Sequence, residues 1–280
     1  MNTAARICLC SIAIGLAPIA PSLAKSQVKG VKAELISEAA TITAGQTFTV
    51  ALFLHHFDKF HTYWQNPGNV GVPTTIKWDL PDGFSAGPIQ WQVPERSKML
   101  VYNCHAYIGD AYLLVNITAP ATLPEGPVTL TANTSWMSCS QKTCCFIAFE
   151  KVAVTLATGP ASKLHPQHAQ DIANARKRLP HKDPNWIVNA ATNKKHITLQ
   201  IRHKTQSLEQ EDLYFYPFEK VSDTELPQHT TVDGAAYTLT VPQASHLESP
   251  PNRIRGLLYR PSGWSSPEQK HLPIDVQVSD

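Results

Sequence analysis

Apolar residues in this chain recur at every second position, in short runs that stop at proline, glycine or aspartate. Thr47-Phe48-Thr49-Val50-Ala51-Leu52-Phe53, Leu113-Leu114-Val115-Asn116-Ile117 and Val128-Thr129-Leu130-Thr131-Ala132 are runs of this kind. The pattern suits half-buried strands, because consecutive side chains leave a strand on opposite faces. Turn signals such as Pro81-Asp82-Gly83 and Pro124-Glu125-Gly126 separate the runs, and long crossover helices are missing, which favours an antiparallel sandwich over βαβ units. One stretch breaks the rule. His165 to Leu179 carries Ala169, Ile172, Ala173 and Ala175 at helical spacing and ends before Pro180. A second strand-rich block follows it, with runs at 196–201, 213–216, 236–241, 256–259 and 274–278. The expected fold class is all-β: two β-sandwiches, 25–160 and 185–280, joined by a helical linker at 161–184.

The chain balances 24 Lys+Arg against 22 Asp+Glu, so it lacks the charge excess of a polyanion binder, and no nucleic-acid partner is expected. Residues 1–24 read as a signal peptide: Arg6 is their one charge, Ile7 to Ala20 is apolar, and Ser22-Leu23-Ala24 supplies the small residues before a cleavage site. The apolar run is shorter than the roughly 20 residues that span a bilayer. Cleavage after Ala24 removes Cys8 and Cys10 and leaves Cys104, Cys139, Cys144 and Cys145, in a soluble chain exported to a compartment where disulfides persist.

Chemistry concentrates in Trp136-Met137-Ser138-Cys139-Ser140-Gln141-Lys142-Thr143-Cys144-Cys145-Phe146. A bond from Cys139 to Cys144 closes a ring of about 6 residues, worth roughly 2.2 kcal/mol in the loop-entropy description, against roughly 3.8 kcal/mol for a Cys104 to Cys139 ring of about 36. The difference, about 1.6 kcal/mol, equals some 35 mV in a two-electron couple and favours exchange over permanence. Lys142 within the bend would favour a thiolate. Spacing alone leaves three readings open: an inert brace through Cys139–Cys144 or Cys139–Cys145, a redox pair, or a soft Cu(I) site built from Cys104, His105, Met99, Met137, Cys139, Cys144 and Cys145. No resident cofactor is expected.

The ordered set His61-Thr62-Tyr63-Trp64-Gln65-Asn66-Pro67-Gly68-Asn69-Val70-Gly71-Val72-Pro73, then Pro81-Asp82-Gly83-Phe84, Gly87-Pro88-Ile89-Gln90-Trp91, Pro94-Glu95-Arg96 and the cysteine segment, resembles the N-terminal periplasmic region of DsbD- and ScsB-type protein-disulfide reductases over most of 30–158. The resemblance implies an immunoglobulin-like domain with one reversible disulfide. That bond takes electrons from a membrane-embedded thiol reductase of the DsbD/CcdA type and passes them to periplasmic thioredoxin-like proteins. By position Cys139 and Cys144 match the family pair, with Cys145 and Cys104 as auxiliary thiols. The second β block resembles the second periplasmic domain of ScsB-type members. The family often has proline shortly after its second cysteine; Cys145-Phe146 stands here instead, so Cys145 competes for the bond. The membrane and C-terminal thioredoxin domains of the family have no counterpart in these residues, so electrons are expected from a separate protein. Tyr63, Trp64, Asn66, Pro67, Gly68, Tyr102 and Trp136 are expected to cap or line the site, with 66–73 as the covering loop. His55, His56 and His61 read first as edge or core residues, and Arg176-Lys177-Arg178 as a solvated face of the connector helix.

Overall fold

Strand formation follows the alternating runs closely in the computed structural model, which describes residues 26–28, 30–140 and 145–278; the expected signal peptide and Cys144 lie outside them. One sheet orders the strands Ser26–Val28, Val31–Ser37, Thr47–His56, Asp110–Thr118 and Ser85–Ala86. Facing it, the long hairpin Val128–Ser140 and Phe146–Thr158 anchors a second sheet. The first arm of that hairpin pairs on its free edge with Thr75–Asp79 at one end and with Phe60–Tyr63 at the other. Phe60–Tyr63 then carries Tyr102–Ile108 and Glu95–Met99 outward. Alternation sorts the hairpin's residues: Val128, Leu130, Ala132 and Trp136 enter the core between the sheets, while Thr129 and Asn133 face water.

The strand Thr47–His56 departs from simple alternation, since Val50, Ala51 and Leu52 are all buried. The helix explains this. His168–Lys177 lies on the outer face of the first sheet and covers Ile36, Ala51 and Leu114 with Ile172 and Ala175. Arg176 pairs with Glu38 at 2.7 Å and donates to Thr49 Oγ1, and Arg178 sits over the Tyr112 ring. Arg176, Lys177 and Arg178 are exposed, and two of them also reach back to the sheet through these contacts. Leu52 is fully buried, and Leu52→Ala should cost about 3 kcal/mol, read as a lower urea midpoint of the full chain.

Past the helix, the sheet Trp186–Thr192, His196–His203, Ala236–Pro242 and His229–Asp233 packs on the sheet Tyr214–Pro217, Arg253–Tyr259 and His271–Gln277. This block has its own core, centred on Phe215, Tyr237, Leu239 and Ile254. Tyr216 and Leu257 of the same block join the core of the first sandwich. The two halves therefore share an apolar seam. Among the described residues no helix is long and apolar enough to cross a membrane.

Candidate functional site

The hairpin register decides which cysteines meet. Ser138 lies opposite Phe146, so the next step of the antiparallel ladder puts Cys139 opposite Cys145. The structure bonds these two, with Cα atoms 4.2 Å apart, close to the separation of a directly opposed, non-hydrogen-bonded strand pair. The expected Cys139–Cys144 pairing is thereby corrected: a cysteine sulfur forms one disulfide, and Cys139 forms it with Cys145.

The two sulfurs differ in environment. Cys139 is completely buried, flanked across the strands by His61 and packed with Tyr63, Cys104 and Ala106. Cys145 is partly exposed, and the Met99 thioether sulfur sits 3.4 Å from its Sγ. Tyr63 donates its hydroxyl hydrogen to Cys139 Sγ at 3.0 Å. Burial pushes the Tyr63 phenol pKa up, with Cys104 adding to the effect, so Tyr63 remains a donor. Cys104 is a free, buried thiol. Burial, then the nearby Glu225 carboxylate, push it up to about 12, which keeps it protonated and unreactive.

The covering segment crosses this cluster. Val70 packs against it, and Gly71, at φ +103°, lies so near the Tyr63 ring that a Cβ there would be 2.3 Å from its carbons. The chain re-enters the sheet where Pro73 bridges to Tyr63. Its start is fixed differently: Pro67 O accepts from His105 N at 3.0 Å, Gly68 N donates to Asn66 Oδ1 at 3.1 Å, and Asn66 Nδ2 donates to Pro217 O and Glu219 O of the second block.

Other expected lining residues fall elsewhere. Trp64 follows Tyr63 on the strand, so it faces the opposite way, into the core, and donates to Gln92 O at 3.1 Å. Trp136 likewise points to the core while Met137 faces the cysteine cluster. Tyr102 is exposed at the tip of the hairpin joining Glu95–Met99 to Tyr102–Ile108. Of the proposed copper set, Met99, Cys104, Met137, Cys139 and Cys145 meet in one cluster. Cys104 faces Cys139, whereas His105 turns to the domain seam, with ring nitrogens at 3.0 Å from Asn66 O and from the Tyr214 hydroxyl. With Cys139 consumed in a disulfide, no group of three or more His, Cys, Asp or Glu side chains suited to a metal occurs among the described residues. His56 is structural, bonded to Gly109 O and Thr62 Oγ1, and His55 pairs with Asp110 at the surface. Burial drives the pKa of His56, His61 and His105 down to about 4.

Residues 32–157 match the family described as the N-terminal region of the thiol:disulfide interchange protein DsbD. Among solved structures, the N-terminal periplasmic domain of ScsB from Proteus mirabilis aligns with a TM-score of 0.61 at 12% identity, over 90% of this chain and 95% of that one. At that identity the likeness is one of fold, and it takes in both β blocks. The reduced DsbD N-terminal domain of Neisseria meningitidis is 15% identical over 46% of this chain and 89% of that one, with a TM-score of 0.28. No curated protein matches the sequence.

Proposed function

Because residues 32–157 match the DsbD N-terminal family, we propose that this protein is a periplasmic thiol–disulfide exchange protein working through Cys139–Cys145. In this reading residues 1–24 direct export, residues 25–160 carry the redox site, and 185–280 form a second domain. A membrane-embedded thiol reductase of the DsbD/CcdA type supplies electrons, and thioredoxin-like proteins receive them. One observation carries the proposal: the partly exposed Cys145 is bonded to the fully buried Cys139, whose sulfur already accepts a hydrogen bond.

That asymmetry assigns the roles. A partner thiolate attacks Cys145 Sγ; the sulfur–sulfur bond breaks and its electron pair moves to Cys139 Sγ, where the Tyr63 hydroxyl stabilises the charge. The partner's second thiolate then attacks its own sulfur in the mixed disulfide, leaving the partner oxidised and Cys145 as thiolate. In the second half-cycle Cys145 attacks a client disulfide. Cys139 then attacks Cys145 Sγ, reforming the bond and releasing the client as a dithiol that takes its protons from solvent. Cys104, held protonated, stays outside the cycle.

Tyr63→Phe should slow reduction of the bond about tenfold, the size expected when a hydrogen bond to a developing charge is lost. Stopped-flow measurement with a small thiol checks this. For the whole proposal, reduced protein is mixed with an oxidised thioredoxin-like protein and the thiols are counted by alkylation and mass spectrometry. Transfer of one electron pair per chain is expected, and no transfer at any ratio overturns it.

A further inference from the structure

The covering loop is anchored to the second β block more heavily than to its own domain. Thr224 lies in the segment between the strands Tyr214–Pro217 and His229–Asp233 and is buried. Its hydroxyl accepts from Asn69 N at 3.2 Å and donates to Asn103 O at 3.4 Å, joining the loop to the strand that carries Cys104. Asn69 answers with its side chain, accepting from Thr224 N and donating to Asp223 Oδ1 at 2.7 Å. Asn103 N donates to Glu225 Oε1 at 2.8 Å, and Asn103 Nδ2 donates to Thr224 O. Gly68, at φ +87°, lets the loop close on Thr224, since a Cβ there would stand 2.6 Å from the threonine methyl. Further along, Val70 packs against the cysteine cluster and Gly71 rests on Tyr63, which donates to Cys139.

We infer that Asp223-Thr224-Glu225 is a latch, a set of positioning residues by which the second β block holds the 66–73 loop over the disulfide. The inference rests on the exchange reading above for its functional consequence. Freeing the loop from the cluster that buries Cys139, where Val70 packs, breaks the Asn69 bonds to 223 and 224. The second block thus sets how often the site opens, although it has no cysteine of its own.

Thr224→Val keeps the shape and removes the hydroxyl; Asn69→Ala and Glu225→Ala change exposed residues and serve should the buried substitution impair folding. In the oxidised full-length protein, amide hydrogen exchange across 68–72 should accelerate roughly fivefold in each variant, the scale of one lost hydrogen bond. Reduction by dithiothreitol should quicken by a similar factor while exchange in the 236–242 strand stays unchanged. Unaltered exchange across 68–72 in all three variants overturns the latch. Faster exchange with an unchanged reduction rate overturns its control of the disulfide. Should wild-type protein resist every thiol, the exchange reading fails, and hydrogen exchange still decides the latch.

Discussion

Replacing Cys139 by Ala, with Cys144→Ser to leave a single thiol in the bend, should turn the protein into a trap for its partners. The remaining Cys145 is partly exposed, so it attacks a client disulfide normally. The second step fails, because the sulfur that would reform the bond and expel the client is gone. A mixed disulfide with a thioredoxin-like protein should then accumulate to near completion and survive non-reducing electrophoresis. The reciprocal variant, Cys145→Ala, leaves only Cys139, which has no accessible surface and lies beneath Tyr63; it should capture essentially nothing. Capture by Cys145→Ala but not by Cys139→Ala would reverse the assignment of attacked and leaving sulfur.

The second large effect is acid unfolding well above the usual carboxylate range. His56, His61 and His105 are buried, and burial lowers each from 6.5 to about 4. The unfolded chain therefore takes up protons at these positions as pH falls through 6.5, whereas the folded chain refuses them until about 4. Stability from the three neutral rings is complete above pH 6.5 and declines as pH falls towards 4, where the loss levels off. A shift of that size is worth about 3 kcal/mol per group, so the combined loss is comparable to the whole stability of an ordinary domain. Urea midpoints measured from pH 7.5 to 4.5 should fall steeply. A flat profile would show that the rings are charged in the folded state. His105 links this to the site, since its ring joins Asn66 O at the start of the covering loop to the Tyr214 hydroxyl in the second block.

Much of the fold was legible because strand periodicity is local. Runs such as Val128–Ala132 announce their faces, and Pro180 marks the end of the helix without reference to anything distant. The disulfide pairing was legible in principle but depended on face parity. Trp136 and Ala148 point to the core, so Met137, Cys139 and Cys145, an odd number of steps away, share the other face. Spacing left both neighbours open, and the position of the family pair favoured Cys144, whereas the bond joins Cys139 to Cys145. The same parity separates Tyr63 from Trp64 and Cys104 from His105, and so takes His105 out of the sulfur cluster. By contrast, nothing near Asn69 in sequence points to Asp223 and Thr224, which lie more than 150 residues away. Their hydrogen bonds arise when the seam at Tyr216 and Leu257 brings the two blocks together, and a partnership of that kind leaves no local pattern.

The central claim is that Cys139–Cys145 opens and closes under physiological conditions. Equilibrating the full-length protein with graded dithiothreitol ratios, then alkylating and mapping the cysteine peptides, tests it most directly. The account predicts a midpoint potential above about −300 mV, with the label appearing on Cys139 and Cys145 together and Cys104 left out of the transition. A bond that stays closed well below that potential, or a transition carried by Cys104 or Cys144, would contradict it.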